Sequence, residues 1–103
     1  MDSTKFIEYR NKIETEYAKA CTKHPKFCDD FSGAQDDTIK ISLKHWRDMN
    51  SRAPYHADAI LMEEIMESIE AYRQGDKAHC MEELAQCGAV ILRMMDFIET
   101  EAK

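Results

Sequence analysis

The sequence predicts an all-α chain of four helices. Apolar residues recur at helical spacing over four long stretches, and only three Gly and two Pro interrupt the 103 residues. That length suits a single domain, 1–103, with one modest core.

The first helix is expected over about 3–21, with Phe6, Ile13, Tyr17 and Ala20 as its apolar stripe. Pro25, within CTKHPKFCDDFSGAQDD, breaks the pattern, so residues 22–36 read as a loop. Asp37 or Thr38 can cap a second helix over about 38–51, in which Ile39, Leu43 and Trp46, extended by Met49, face inward. Arg52-Ala53-Pro54 ends it, because the residue before proline avoids the α region. The third helix covers about 55–74. Its main stripe is Leu61, Ile65, Ile69 and Tyr72, widened by Met62 and Met66. Gly75 terminates it, and Asp76 caps a fourth helix over about 76–101. So short a connection makes helices three and four antiparallel neighbours. The fourth helix carries an apolar arc of roughly 240°, more than one packing face requires. A homodimer or homotetramer is therefore expected, with the arc completed by another subunit.

The net charge is -6, with both signs interspersed along the chain. No basic block is present, which argues against a nucleic-acid polymer as partner. Free nucleotides stay compatible, since a metal can neutralise their phosphates. No apolar run approaches the ~20 residues of a membrane span, and MDSTKFIEYR lacks the charged and apolar regions of a signal peptide. The expectation is a cytoplasmic protein with its four cysteines reduced.

Glu83 is the residue that points to chemistry. At about 100° per residue it projects between Val90 and Met94, inside the apolar arc. A buried carboxylate needs a cation, a partner or a proton. On the preceding helix Glu64 and Glu67 share a face with Ala57, Ile60 and Ala71, whereas Glu63 and Glu70 point to the polar side. Glu83 and Gln86 repeat the i, i+3 spacing of Glu64 and Glu67 on the opposing helix. Hard oxygen ligands in this number suit Mg²⁺ or Mn²⁺, ions that also bind substrate phosphates. Such an ion can polarise a phosphoryl oxygen and help generate an attacking water.

Solvated ion pairs account well for Glu63, Glu70 and Glu82, and poorly for Glu83. Trp46 falls on an apolar stripe and reads first as core; in a nucleotide enzyme it could stack on a base, and Tyr55 could reach the same pocket. Lys44, Arg47, Arg52, Arg73, Lys77 and Arg93 can contact phosphate, and Arg93 is the best placed, two turns beyond Gln86 on a similar face. Cys21, His24 and Cys28, with His79, Cys80 or Cys87, lack the paired spacing of a zinc finger or ribbon. Cys80 and Cys87 read as small core residues. No catalytic triad pattern, glycine-rich phosphate loop or dinucleotide fingerprint is visible.

The segment LMEEIMESIEAYRQGDKAHCMEELAQCGAVIL resembles the core of the MazG-like all-α nucleoside triphosphate pyrophosphohydrolases. Their EExxE and EExxD motifs read here as EEIME, Glu63 to Glu67, and EELAQ, Glu82 to Gln86. About a third of the chain is covered closely. The resemblance implies a MazG-like bundle completed by oligomerisation, acting on an NTP or dNTP to release the monophosphate and pyrophosphate. It implies Mg²⁺, or Mn²⁺, held by Glu64, Glu67, Glu83 and Gln86. The three glutamates would also serve catalysis, with Arg93, Lys77, Trp46 and Tyr55 toward the nucleotide. Gln86 departs from the family's last acidic position: it can lend a carbonyl oxygen but no charge. The alternative is thus a catalytically degenerate nucleotide-binding or regulatory helical oligomer. A third possibility, a purely structural oligomer, expects Glu83 to be buried against Arg or Lys.

Overall fold

The computed structural model describes residues 2–101, and these are all-helical, with no strand among them. The helices are α1 (Ser3–Lys23), α2 (Asp36–Asn50), α3 (Ala57–Arg73) and α4 (Lys77–Glu101). Among the described residues no helix is long and apolar enough to cross a membrane.

The chain divides into two compact units. One runs from Ser32 to Ile91 and holds α2, α3 and most of α4. Here α2 packs on α3 around Ile39, Leu43 and Met66, with Ala34, Trp46 and Ile69 against them. Trp46 is thus a half-buried core residue. Asn50 ties the end of α2 to α3, its Nδ2 donating to the Ala59 carbonyl at 3.0 Å and to Glu63 Oε1 at 2.9 Å. That corrects one expectation. Glu63 lies at the α2–α3 seam and is not on the polar side, because Asn50 supplies the donor its carboxylate needs there.

The other unit takes the residues up to Phe31 and those from Leu92 onward. Its buried residue is Tyr9, whose hydroxyl donates to Glu99 at 2.5 Å; Lys5 ion-pairs with the same carboxylate. The expected α1 stripe is largely open, with Phe6 and Ile13 exposed and Tyr17 more so. A tyrosine anchored by polar contacts, and not the apolar stripe, is what this helix buries.

Helix ends follow local chemistry. Asp2 caps α1 by accepting from the Lys5 N–H at 2.9 Å. Helix α2 starts before the expected caps: Gln35 occupies the cap position without a side-chain bond, so Asp36 and Asp37 fall in the first turn, where the helix dipole favours acid. Tyr55 and His56 stay outside α3, with His56 extended in the cap position. Gly75 adopts φ 79° and closes α3 in a Schellman turn, with Asp76 N–H on the Ala71 carbonyl and Gly75 N–H on that of Tyr72, both at 3.0 Å. The Asp76 carboxylate then accepts from the His79 N–H at 3.0 Å and caps α4. This three-residue reversal, Gln74 to Asp76, sets where α4 begins, and hence where Glu83 falls.

Candidate metal centre

Helix α3 is packed on two sides, which its sequence stripe does not reveal. Leu61, Ile65 and Ile69 are only half-buried and Tyr72 is exposed; the buried residues are Ala59, Met66, Ser68 and Ala71. Ala59 and Met66 are seven apart and lie on one face, toward α2. Ser68 and Ala71 lie on another, continuous with Glu64 and Glu67 at helical spacing. Ser68 is 1% exposed and satisfies its hydroxyl on the Ile65 carbonyl at 2.6 Å. Small residues on this face leave the room into which the two carboxylates turn.

The facing stripe of α4 is Cys80, Glu83 and Cys87, all buried. Glu83 is 6% exposed, a carboxylate among core residues. Glu64, Glu67 and Glu83 each offer an oxygen within 4.8 Å of the others. Octahedral Mg²⁺ or Mn²⁺ at ~2.1 Å holds its oxygens roughly 3 to 4.2 Å apart, so small side-chain rotations would bring the three into register. The oxygens themselves call for a proton or a cation. Glu64 Oε2 and Glu83 Oε2 are buried, and with the carboxyls ionised no donor reaches either; such atoms cost free energy unless a proton shared within the cluster or a cation meets them. Glu83 Oε1 is engaged, 3.0 Å from His79 Nε2. Its neighbour is thus a histidine one turn back, in place of the Arg or Lys expected for a purely structural oligomer.

Protonation follows the same crowding. Burial pushes Glu64 up to about 7, helped by hydrogen bonding and repulsion from Glu83. Burial does the same to Glu67, with Glu63 and Glu83 adding to it. Burial also works against ionisation of Glu83, but hydrogen bonds from Glu64, Glu67 and His79 outweigh it and hold this carboxyl below its ordinary range. Glu83 therefore carries the charge while its two neighbours hold protons until neutral pH. Arg47 of α2 stands beside the cluster, its Nη2 3.5 Å from Glu67 Oε1; burial and the other carboxylates still dominate that residue.

The structure gathers Glu64, Glu67 and Glu83 and leaves the other sequence candidates around them. Gln86, one turn beyond Glu83, is exposed, as are Arg93 and Lys77 on α4 and Tyr55 ahead of α3. Among the described residues the three glutamates form the cluster with metal-ligand spacing; Cys21 and Cys28 are exposed free thiols, and Cys80 and Cys87 are buried ones. His79 is a participant that sequence reasoning weighed only for zinc, although its i-4 position relative to Glu83 was a usable signal. Comparison with protein-family models, curated proteins and solved structures finds no match to this chain.

Proposed function

We propose that this chain is a divalent-metal-dependent nucleoside triphosphate pyrophosphohydrolase, cleaving an NTP or dNTP to its monophosphate and pyrophosphate. The observation that carries the proposal is the convergence of three glutamates with two buried oxygens that no donor from outside the cluster reaches. The resemblance of EEIME and EELAQ to the MazG-like motifs supplies the reaction. Glu64, Glu67 and Glu83 would hold Mg²⁺ or Mn²⁺, an all-oxygen set that suits hard ions. Bound there, the ion would neutralise charge on phosphoryl oxygens and acidify a water for in-line attack. His79 holds Glu83 through Oε1 and leaves Oε2 without a partner from outside the cluster.

The apolar arc of α4 supports assembly with a second copy. Met81 stands 66% exposed, and Leu84 and Ile91 are more than a third exposed. Lone exposed residues of this kind are ordinary, whereas a run along one helix is a surface that a partner covers. Sedimentation at micromolar concentration is expected to give a dimer or tetramer.

The test is pyrophosphate release from a panel of NTPs and dNTPs with Mg²⁺ or Mn²⁺ against an EDTA control. Metal-dependent release that Glu67→Ala abolishes is expected. No release from any nucleotide would overturn the enzymatic assignment. Stabilisation by metal plus nucleotide in that inactive protein would then favour the binding-module alternative, which Gln86 recommends. Gln86→Asp separates the two further. An added carboxylate one turn from Glu83 should tighten Mg²⁺ binding by roughly tenfold, about 1.4 kcal/mol. A large rise in hydrolysis marks a weakened enzyme; unchanged hydrolysis in an already active protein means that glutamine suffices.

A further inference from the structure

Arg47 is the basic side chain that the fold brings to the carboxylate cluster, and its pairing there is incomplete. Its contact with Glu67 is single and long, Nη2 to Oε1 at 3.5 Å. The Arg47 side chain is 51% exposed while Glu67 is 21% exposed, so the guanidinium lies at the rim and the carboxylate below it. A guanidinium offers five N–H donors in a fixed fork, and this contact engages one nitrogen. The strong Arg–carboxylate pairs are short and frequently bidentate, with both charges out of water. This one is neither short nor bidentate.

We propose that Arg47 is the residue that grips the polyphosphate of an anionic substrate at this site, a role that rests on the metal-centre assignment above. A divalent ion held by Glu64, Glu67 and Glu83 competes with Arg47 for Glu67 Oε1. With that oxygen committed to an ion, the half-exposed guanidinium at the rim would be left without its carboxylate and free to pair with another anion. A polyphosphate chain bridging to the ion then meets a planar fork matched to two of its oxygens. The side chain has freedom to turn toward such a ligand, since its exposed half is unpacked. Arg93 and Lys77, nearer in sequence to Glu83, are exposed on α4; neither ion-pairs with a cluster carboxylate, whereas Arg47 does. The contact fixes α2 as the wall of the site that carries positive charge.

The test uses Mn²⁺ and inorganic tripolyphosphate, which has no base or sugar, with the full chain and its Arg47→Ala and Arg47→Lys variants. Calorimetry measures Mn²⁺ alone, then tripolyphosphate at saturating Mn²⁺. Arg47→Ala is expected to bind Mn²⁺ as tightly as the parent or a few-fold tighter, because Glu67 loses a competitor. Its tripolyphosphate affinity should fall by 10- to 100-fold. Arg47→Lys, which retains charge without the fork, should fall between the two. A purely structural Arg47 predicts a lower melting temperature with unchanged tripolyphosphate affinity, and that result overturns the assignment while leaving the metal centre intact. Failure of the parent chain to bind Mn²⁺ overturns both together.

Discussion

Glu83→Gln should abolish the response of this protein to divalent metal and at the same time make the metal-free protein more stable at pH 8. The two effects have one cause. At that pH three carboxylates crowd a site in which Glu64 Oε2 and Glu83 Oε2 find no protein donor. An amide at position 83 removes one repelling charge and brings two N–H donors that can reach Glu64 or Glu67, while its carbonyl can still pair with His79. Relieving a buried, unsatisfied carboxylate contributes about 1–3 kcal/mol, a rise of roughly 4–8 °C in melting temperature per kcal/mol in a domain of this size. Metal binding loses its most deeply buried ligand. In the proposed hydrolysis, where the ion would contribute several kcal/mol of charge stabilisation, pyrophosphate release should fall by roughly 10²- to 10³-fold. Differential scanning fluorimetry with and without Mg²⁺, beside the release assay, reads all three effects. A variant that is destabilised and still stabilised by Mg²⁺ would contradict this use of Glu83.

The metal-free protein should also lose stability as pH rises from about 4.5 to about 7, opposite to the usual behaviour of carboxylates in salt bridges. Glu64 and Glu67 are pushed from an ordinary 4.5 up to about 7, first by burial and then by their acidic neighbours. A carboxyl whose folded pKa is raised binds its proton more tightly in the native state. Its contribution is complete below the unfolded pKa and disappears as pH climbs through the folded value. Glu83 is held below its ordinary range largely by hydrogen bonds from Glu64 and Glu67, so its contribution runs the other way: it is lost as pH falls below about 4.5 and fades once those neighbours give up their protons near pH 7. The sum places maximal stability of the metal-free form near pH 5. A decline on the order of a few kcal/mol by pH 8 follows, read as a melting temperature lower by roughly 5–15 °C. Saturating Mg²⁺ should cancel most of that decline, because metal requires the carboxylates ionised and takes up their charge. Binding at pH 6 should accordingly release about one to two protons per ion, measurable by calorimetry in buffers of different ionisation enthalpy. A melting temperature that rises monotonically from pH 5 to pH 8 without metal would contradict the raised pKa values.

The helical character and the decisive carboxylate were legible before any coordinates, for local reasons. Apolar period, Gly75 and Asp76 are short-range signals, and a Schellman turn followed by an aspartate cap is what those two residues form. Glu83 stood out because its wheel position conflicts with its charge, and it is buried. What the residues concealed is tertiary. Helix α3 buries Ala59, Met66, Ser68 and Ala71 in place of its most apolar stripe, because two packed faces select small residues where backbones approach. Glu63 reads as solvent-facing until Asn50, thirteen residues away, is seen to donate to it. Tyr9 is buried through Glu99 at the far end of the chain, a pairing no local pattern encodes. The site divides in the same way: its acids follow from helix periodicity, whereas Arg47 comes from α2 and is one of six candidate cations, ranked below Arg93, until the fold puts its guanidinium on Glu67.

The central claim is that Glu64, Glu67 and Glu83 hold a divalent ion, and titration of Mn²⁺ followed by its electron paramagnetic resonance signal tests it most directly. Free aqueous Mn²⁺ gives a sharp six-line spectrum that broadens on capture. At pH 8 the protein should remove that signal saturably, Mg²⁺ should restore it by competition, and Glu83→Gln should leave it undiminished. A wild-type chain that leaves the free Mn²⁺ signal unchanged, or a Glu83→Gln chain that removes it as well as wild type, would contradict the metal centre.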